Sequence, residues 1–143
     1  MTELHAQAIS ARLSRIRASV KTLMEASAKG REAFHTDSFP LAAAQWHYQL
    51  AVQTALDIAD HIIASEDWEV ADTDADAFHV LGKHAVLSHE LTERLASLAR
   101  LRNILVHSYL EVDPGKLYDD IGGGIKHLES FCQAIVKFLD SQT

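Results

Sequence analysis

The sequence predicts an all-α protein, an up-and-down bundle of about five helices that forms a single domain over residues 1–143. Its 143 residues include only two prolines and six glycines, so residues that break helices are scarce. Apolar residues recur at spacings of three and four over long segments, as they do on one face of a helix. No segment shows the strict apolar–polar alternation of a strand. The length is sufficient for one buried core.

The first helix is predicted from Thr2, a suitable N-cap, to about Ala28, and Gly30 ends it. Its apolar face consists of Ile9, Leu13, Ile16, Val20 and Leu23. Residues 1–31 carry a net charge of +4 and the rest of the chain −11, within a total of −7. This asymmetry is compatible with a local nucleic-acid contact and equally with a solvated helix face.

The second helix is predicted to begin around Phe39-Pro40, because proline suits the first turn. Its buried side consists of Leu41, Ala44, Tyr48, Val52, Ala55, Ala59 and Ile62. An acidic connector follows, Glu66 to Asp76, which we interpret as a solvated loop because it lacks the ligand order and central glycine of a calcium loop. A short third helix carries Phe78 and Leu81.

The fourth helix is predicted from Ser88, as N-cap, to about Leu110, and the fifth begins with Asp113 as cap and Pro114 in its first turn. The apolar stripe of the fifth helix is Leu117, Ile121, Ile125, Leu128, Cys132, Ile135 and Leu139. Gly122–Gly124 interrupts this helix, where each glycine costs about 1 kcal/mol relative to alanine. We expect a kink or a close helix approach there.

Cys132 is the one cysteine, so no internal disulfide forms and a reducing, cytoplasmic location is expected. A nucleophilic role for Cys132 is the less common alternative to simple packing. The polar N-terminus does not resemble a signal peptide, and no apolar run approaches the ~20 residues of a membrane span. We expect no membrane association.

The segment 98–110 is apolar on more than one side and nevertheless contains Arg102, Asn103 and His107. A helix of this kind is normally buried on more than one side, so a second subunit could cover it. Arg102 and His107 lie about 140° apart around a helix at roughly 100° per residue. A twofold axis along the helix would bring two copies of each residue together, which favours a site between subunits.

These residue types suit the cleavage of RNA, which supplies its own nucleophile, the 2′-hydroxyl group. Histidine titrates near neutrality, so His107 is suited to take a proton from the 2′-hydroxyl or to give one to the leaving oxygen. The permanently charged guanidinium of Arg102 suits the developing charge on phosphorus. An arginine, an asparagine and a histidine could equally cap and bridge helices.

Residues 102–109, Arg-Asn-Ile-Leu-Val-His-Ser-Tyr, resemble the Arg-x-x-x-x-His-x-Tyr motif of the HepT-like branch of the HEPN proteins. The helix segment 49–59 is similar to the family's helix before the motif, and Val112-Asp113 to the residues that follow it. The resemblance covers about residues 41–140. It implies a HEPN-like bundle that forms a homodimer.

The resemblance implies a metal-independent endoribonuclease, the toxin of a toxin–antitoxin pair. Arg102 and His107 match the catalytic pair, and Asn103 the polar neighbour that orients them. Tyr109 matches the tyrosine to which the partner antitoxin, a MntA-like minimal nucleotidyltransferase, adds AMP. Such a group would place bulky negative charge where the RNA phosphate must bind. Tyr109 also lies on the apolar stripe, so it is equally interpretable as a core residue.

Three alternatives remain. Asp57–His61 and His89–Glu93 have a spacing that allows chelation, but no matching second pair follows, and we expect neither a metal nor a cofactor. We interpret Asp57 instead as a buried or cleft-lining residue that supports the site. The chain could also be a noncatalytic HEPN module that binds a nucleotide or holds a nucleotidyltransferase. The last alternative is a structural four-helix bundle without a ligand.

Overall fold

The computed structural model describes residues 2–107 and 112–142, apart from the side chain of Leu4. Within these residues the chain forms six α-helices and no strand, which confirms the all-α prediction. The helices are α1 Glu3–Ser27, α2 Arg31–Thr36, α3 Ser38–Ser65, α4 Asp74–Lys83, α5 His89–His107 and α6 Pro114–Ser141. None of the helices in these two ranges is long and apolar enough to span a bilayer.

The predicted caps are confirmed where the sequence marked them. The hydroxyl of Thr2 accepts a hydrogen bond from the His5 backbone N–H at 3.2 Å, and that of Ser88 accepts one from Leu91 at 3.1 Å. Asp113 Oδ1 accepts from the backbone of Gly115 at 2.9 Å. Each bond satisfies a backbone donor that has no partner in the first turn of a helix, so these residues determine where α1, α5 and α6 begin.

The described residues form one helix more than the approximately five predicted, because the short α2 lies between Gly30 and the start of α3. Gly30 has a φ of +94°, a conformation that glycine adopts without strain, and it turns the chain out of α1. The six-residue helix buries Phe34, whose ring meets Tyr118 of α6 edge to face at 5.3 Å. Arg31 pairs with Asp119 and joins α2 to α6 a second time.

Helix α3 is the central element and packs against each of the other five helices. Along most of its length one of its sides is fully buried, and several of the buried residues are alanines that let neighbouring helices approach. The predicted apolar faces of α1 and α3 are buried, apart from Leu41, which is partly exposed. On α6, Ile125 and Leu139 are also only partly buried.

Cys132 is buried on α6, and this burial raises the pKa of its thiol to about 11. A thiol that remains protonated at neutral pH is a poor nucleophile. The structure therefore supports the packing interpretation of Cys132.

The glycine run does not break α6, which is helical throughout Gly122–Gly124. A Cβ atom at Gly124 would lie 3.0 Å from Tyr48 Cε2 and 3.6 Å from Leu98 Cδ2. The expected close approach is therefore confirmed at Gly124, where α3, α5 and α6 meet. A Cβ at Gly122 would meet nothing within 4 Å, and one at Gly123 only His127 Nε2 at 3.9 Å.

The acidic connector ends earlier than predicted, because α4 begins at Asp74 rather than after Asp76. Thr73 caps the helix by accepting a hydrogen bond from the Asp76 backbone at 3.2 Å. Carboxylates in a first turn are favoured by the partial positive charge of a helix N-terminus. This cap places Asp74 beside α5.

Candidate active site

Arg102, Asn103 and His107 lie in the last two turns of the described part of α5. Leu98 and Leu105 of the same helix are buried, so α5 is held against the core on one side. Arg102 and Asn103 are partly buried, and His107 is exposed at the last described residue of the helix. Tyr109 lies outside the described residues.

The guanidinium group of Arg102 is held by two oxygen atoms. Its Nη1 donates a hydrogen bond to Asn103 Oδ1 at 3.1 Å and lies 3.7 Å from Asp74 Oδ2. The contact with Asn103 agrees with the orienting role that the resemblance implies for it. Among the described residues, the buried Nε atom has no hydrogen-bond partner, although 21% of the side chain is exposed. An unpaired buried donor is costly, so an anionic ligand that reached this N–H would relieve that cost.

Asp74 of α4, which contacts Arg102, lies near Asp60 of α3, and Asp60 in turn lies near Asp57 of the same helix. Burial, followed by repulsion from Asp57 and Asp74, raises the pKa of Asp60. Asp57 is exposed and accepts a hydrogen bond from Gln53 Nε2 at 2.9 Å. Asp74, which sequence analysis missed, is the carboxylate that contacts Arg102.

Within the described part of a single chain, the side chains of Arg102 and His107 do not contact each other. Within residues 2–107 and 112–142, no hydrogen bond or ion pair links Arg102 to His107, or Asp57 to either of them. The two side chains leave α5 in directions about 140° apart, as the helical wheel predicts at roughly 100° per residue. A substrate would have to lie over the end of the helix, or a second copy would have to supply the missing group.

Apolar side chains are exposed around these residues. Ile104 is 59% exposed and Val106 39%, both within the motif segment of α5. On α3, Trp46 is 63% exposed and Leu50 37%, four residues apart on one face of that helix. Exposed apolar residues in groups of this kind are typical of interaction surfaces.

In each of the two residue pairs that the sequence offers as metal ligands, one member contacts a different side chain. His61 Nε2 lies 2.6 Å from His5 Nδ1, and Glu93 Oε1 lies 3.7 Å from His79 Nδ1. Across the described residues, no group of three histidine, cysteine or carboxylate side chains is arranged to hold a metal ion. The chemistry that these residues support is anion binding by Arg102 and proton transfer by His107.

Comparison with known proteins gives consistent matches. The sequence profile of the family described as ribonuclease HepT-like matches residues 13–135. The chain is 34% identical over 91 residues to the tRNA nuclease HepT of Aphanizomenon flos-aquae, covering 64% of this chain and 62% of that protein. It is 25% identical over 87 residues to the mRNA nuclease HepT of Shewanella oneidensis, covering 61% and 65%. The aligned segments therefore span less than two thirds of either relative.

A solved structure shares the fold over nearly the whole chain. It is a tri-AMPylated HEPN toxin of Shewanella oneidensis in complex with an MNT antitoxin, with a TM-score of 0.84 and 21% identity. The match covers 96% of this chain and 99% of that one. The arrangement of the six helices is therefore that of a HEPN bundle.

Proposed function

Because the chain belongs to the HepT-like ribonuclease family, we propose that it is a metal-independent endoribonuclease toxin with Arg102 and His107 as its catalytic pair. The observation that carries this proposal is the set of contacts around the Arg102 side chain. Its guanidinium group is oriented by Asn103 and Asp74, while its Nε–H is buried and has no partner among the described residues. A prepared cationic donor on the same helix as an exposed histidine is suited to a phosphodiester once a second copy or the substrate brings the two together.

The reaction needs no group from outside the chain and the RNA. The 2′-oxygen attacks the adjacent phosphorus while His107 of one copy accepts the 2′-hydroxyl proton. The bond between phosphorus and the 5′-oxygen breaks, and His107, protonated in the first step, donates that proton to the departing oxygen. Arg102 binds the phosphate oxygens, on which negative charge increases in the transition state. The products are a 2′,3′-cyclic phosphate and a 5′-hydroxyl.

The active form is a homodimer with the site in its cleft. Arg102 of one copy and His107 of the other can then act on the same phosphate, and a twofold axis near the end of α5 would bring the second copy into place. The exposed Val106 is suitable for burial in such an interface. Residues 1–143 act as one domain of this dimer, and we place it in the cytoplasm with its RNA substrate.

The antitoxin is a MntA-like nucleotidyltransferase that transfers AMP from ATP to the Tyr109 hydroxyl and releases pyrophosphate. Tyr109 follows His107 by two residues. Negative phosphodiester groups at that position would compete with RNA for Arg102 and so silence the enzyme. The relative from Shewanella oneidensis, tri-AMPylated and bound to an MNT antitoxin, supports this assignment. Asp57, which lies outside the contacts of Arg102, is assigned a supporting role through the charge it places near Asp60 and Asp74.

The decisive experiment incubates the purified, unmodified protein with total cellular RNA in EDTA, beside His107→Ala and Arg102→Ala variants shown to be folded. The parent should cleave RNA to 2′,3′-cyclic phosphate ends, and each variant should lose at least about 100-fold in rate. Thr2→Ala, which removes the side-chain cap of α1, serves as a control for general damage.

The opposite outcome favours the noncatalytic alternative. If a parent with verified unmodified Tyr109 leaves RNA intact, the nuclease proposal is overturned. The intact Arg102 contacts would then serve to hold a nucleotide or a nucleotidyltransferase.

A further inference from the structure

A groove of about 490 Å³ runs between α5 and α6. Its floor is apolar, with Leu98, Leu101 and Ile104 from α5 and the backbone of Gly123 and Gly124 from α6. This volume lies within the range of ~300–1,000 Å³ that is usual for ligand sites. An adjoining groove, lined by Ile104 and the start of α6, extends it toward the end of α5.

The carboxylates on the α6 wall are neutralised within the chain. Asp120 pairs with Lys116 at 2.9 Å, one turn along the same helix. Asp119 pairs with Arg31 of α2. These pairings remove most of the repulsion that two carboxylates would exert on an anionic ligand.

The α5 wall carries two arginines, and the carboxylate of Glu90 lies near its Arg94 end, close enough to His127 to oppose the lowering of that histidine's pKa. Arg94 and Arg100 are exposed, and neither forms an ion pair or hydrogen bond with any residue of the two described ranges. Burial, together with the charges of Arg94 and Lys126, lowers the pKa of His127. At neutral pH His127 therefore lines the groove as a flat, neutral ring, on which a base could stack.

Gly123 keeps this groove open. A Cβ there would meet only His127 at 3.9 Å, so packing inside the chain does not require glycine at this position, in contrast to Gly124. A long side chain at Gly123 would project into the groove. Glycine inside a helix lowers its stability, so the open backbone is consistent with close approach of another molecule.

The groove and the candidate active site share one side of α5, through Arg100 and His107. Arg100 precedes His107 by seven residues, so both lie on one side of the helix, about 10 Å apart along its axis. Arg94 lies about 20 Å from His107 along the axis and, at roughly 100° per residue, about 140° from it around the helix, so only Arg100 shares a side of α5 with His107. At roughly 3.4 Å per nucleotide of a stacked strand, these distances correspond to about three and six nucleotides.

We propose that the α5–α6 groove binds single-stranded RNA beside the scissile phosphate, with Arg94 and Arg100 contacting its backbone and the Gly123–His127 surface contacting its bases. This inference rests on the proposed function, since it gives the RNA a route to His107. On a chain with a net charge of −7, it places the attraction for RNA at two unpaired arginines.

The test compares a 12-nucleotide single-stranded RNA with a dinucleoside monophosphate such as UpA, which is too short to reach Arg100. Arg100→Gln should raise the KM for the 12-mer about tenfold and leave kcat within about twofold, because a backbone contact remote from the reacting atoms contributes binding. Cleavage of UpA should be unchanged. Arg15→Gln, the same change on the exposed face of α1, should leave both substrates unaffected.

A second pair of variants tests the groove itself. Gly123→Gln should weaken 12-mer binding about tenfold, whereas Gly122→Gln, which projects outside the groove lining, should not. Fluorescence anisotropy in a His107→Ala background measures this binding without cleavage. The slope of log affinity against log salt should fall by about 0.7 for each arginine removed.

The outcomes separate this inference from the proposed function. If the parent cuts neither substrate, the nuclease proposal fails, and anisotropy still decides whether the groove binds RNA. If Arg100→Gln and Gly123→Gln bind the 12-mer as the parent does, the inference is overturned. Loss of binding in Arg15→Gln alone would assign the RNA route to α1 instead, and loss of antitoxin binding alone in the groove variants would assign the groove to a protein.

Discussion

At the scale of single residues, Arg102 contacts Asn103 of its own helix and Asp74 of α4, so two different helices orient the guanidinium group of the candidate site. Arg102, Asn103 and His107 were recognisable because their order along one helix is itself the pattern. Asp74 was not recognisable from the sequence, because its contact with Arg102 joins two different helices. Spacing along the chain does not indicate a contact of that kind. Asp57 was chosen by spacing, and it hydrogen-bonds Gln53 on its own helix.

Tyr48 shows a residue-scale defect that can be tested. Its side chain is fully buried, its hydroxyl has no hydrogen-bond partner in the described part of the chain, and burial raises its pKa well above the ordinary range. Removing an unsatisfied buried hydroxyl should relieve a cost of about 1–3 kcal/mol, part of which is returned as a small void. Tyr48→Phe should therefore raise the free energy of unfolding by about 1 kcal/mol in urea denaturation.

Tyr118→Phe provides the matched comparison, because Tyr118 is only partly buried and should change stability by less than about 0.5 kcal/mol. A loss of stability in Tyr48→Phe would mean that the Tyr48 hydroxyl has a partner after all.

At the scale of helices, the caps explain why most boundaries were predictable. Thr2, Ser88 and Asp113 act locally, through backbone groups within three residues, so the sequence alone reveals them. Helix α2 was missed because six residues contain too few apolar positions to show a period. Its stability comes from Phe34 packing on Tyr118 and from Arg31, contacts that exist only once α6 is in place.

The glycines of α6 give an element-scale prediction with an internal control. Gly122→Ala should stabilise the protein by about 1 kcal/mol, because the helix gains propensity and the new methyl group meets nothing. Gly124→Ala should destabilise it by about 1 kcal/mol, since the methyl group would crowd the Tyr48 ring and overpacking outweighs propensity.

Thermal unfolding of the two variants measures the difference, and the shifts in Tm should be several degrees in opposite directions. Equal shifts of the same sign would mean that α6 does not approach α3 as closely as the structure indicates.

At the scale of the whole molecule, the separation of Arg102 from His107 makes a prediction about subunits. Chains carrying Arg102→Ala and chains carrying His107→Ala should each be inactive, but their mixed dimers should contain one complete site. After refolding of an equal mixture, about a quarter of the parental activity should return, since half of the dimers are mixed and each has one of two sites.

Each variant refolded alone serves as the control. An inactive mixture, with mixed dimers demonstrated by mass spectrometry, would show that both residues must come from the same chain.

The contact of Gly124 with Tyr48 and Leu98 has a consequence for the thermodynamics of binding. This contact fixes the wall of the α5–α6 groove against the central helix α3. The protein therefore loses little conformational entropy when single-stranded RNA binds in the groove. The ordering cost then falls on the RNA alone, and unstructured substrates that already favour stacking should be captured at the smallest entropic penalty.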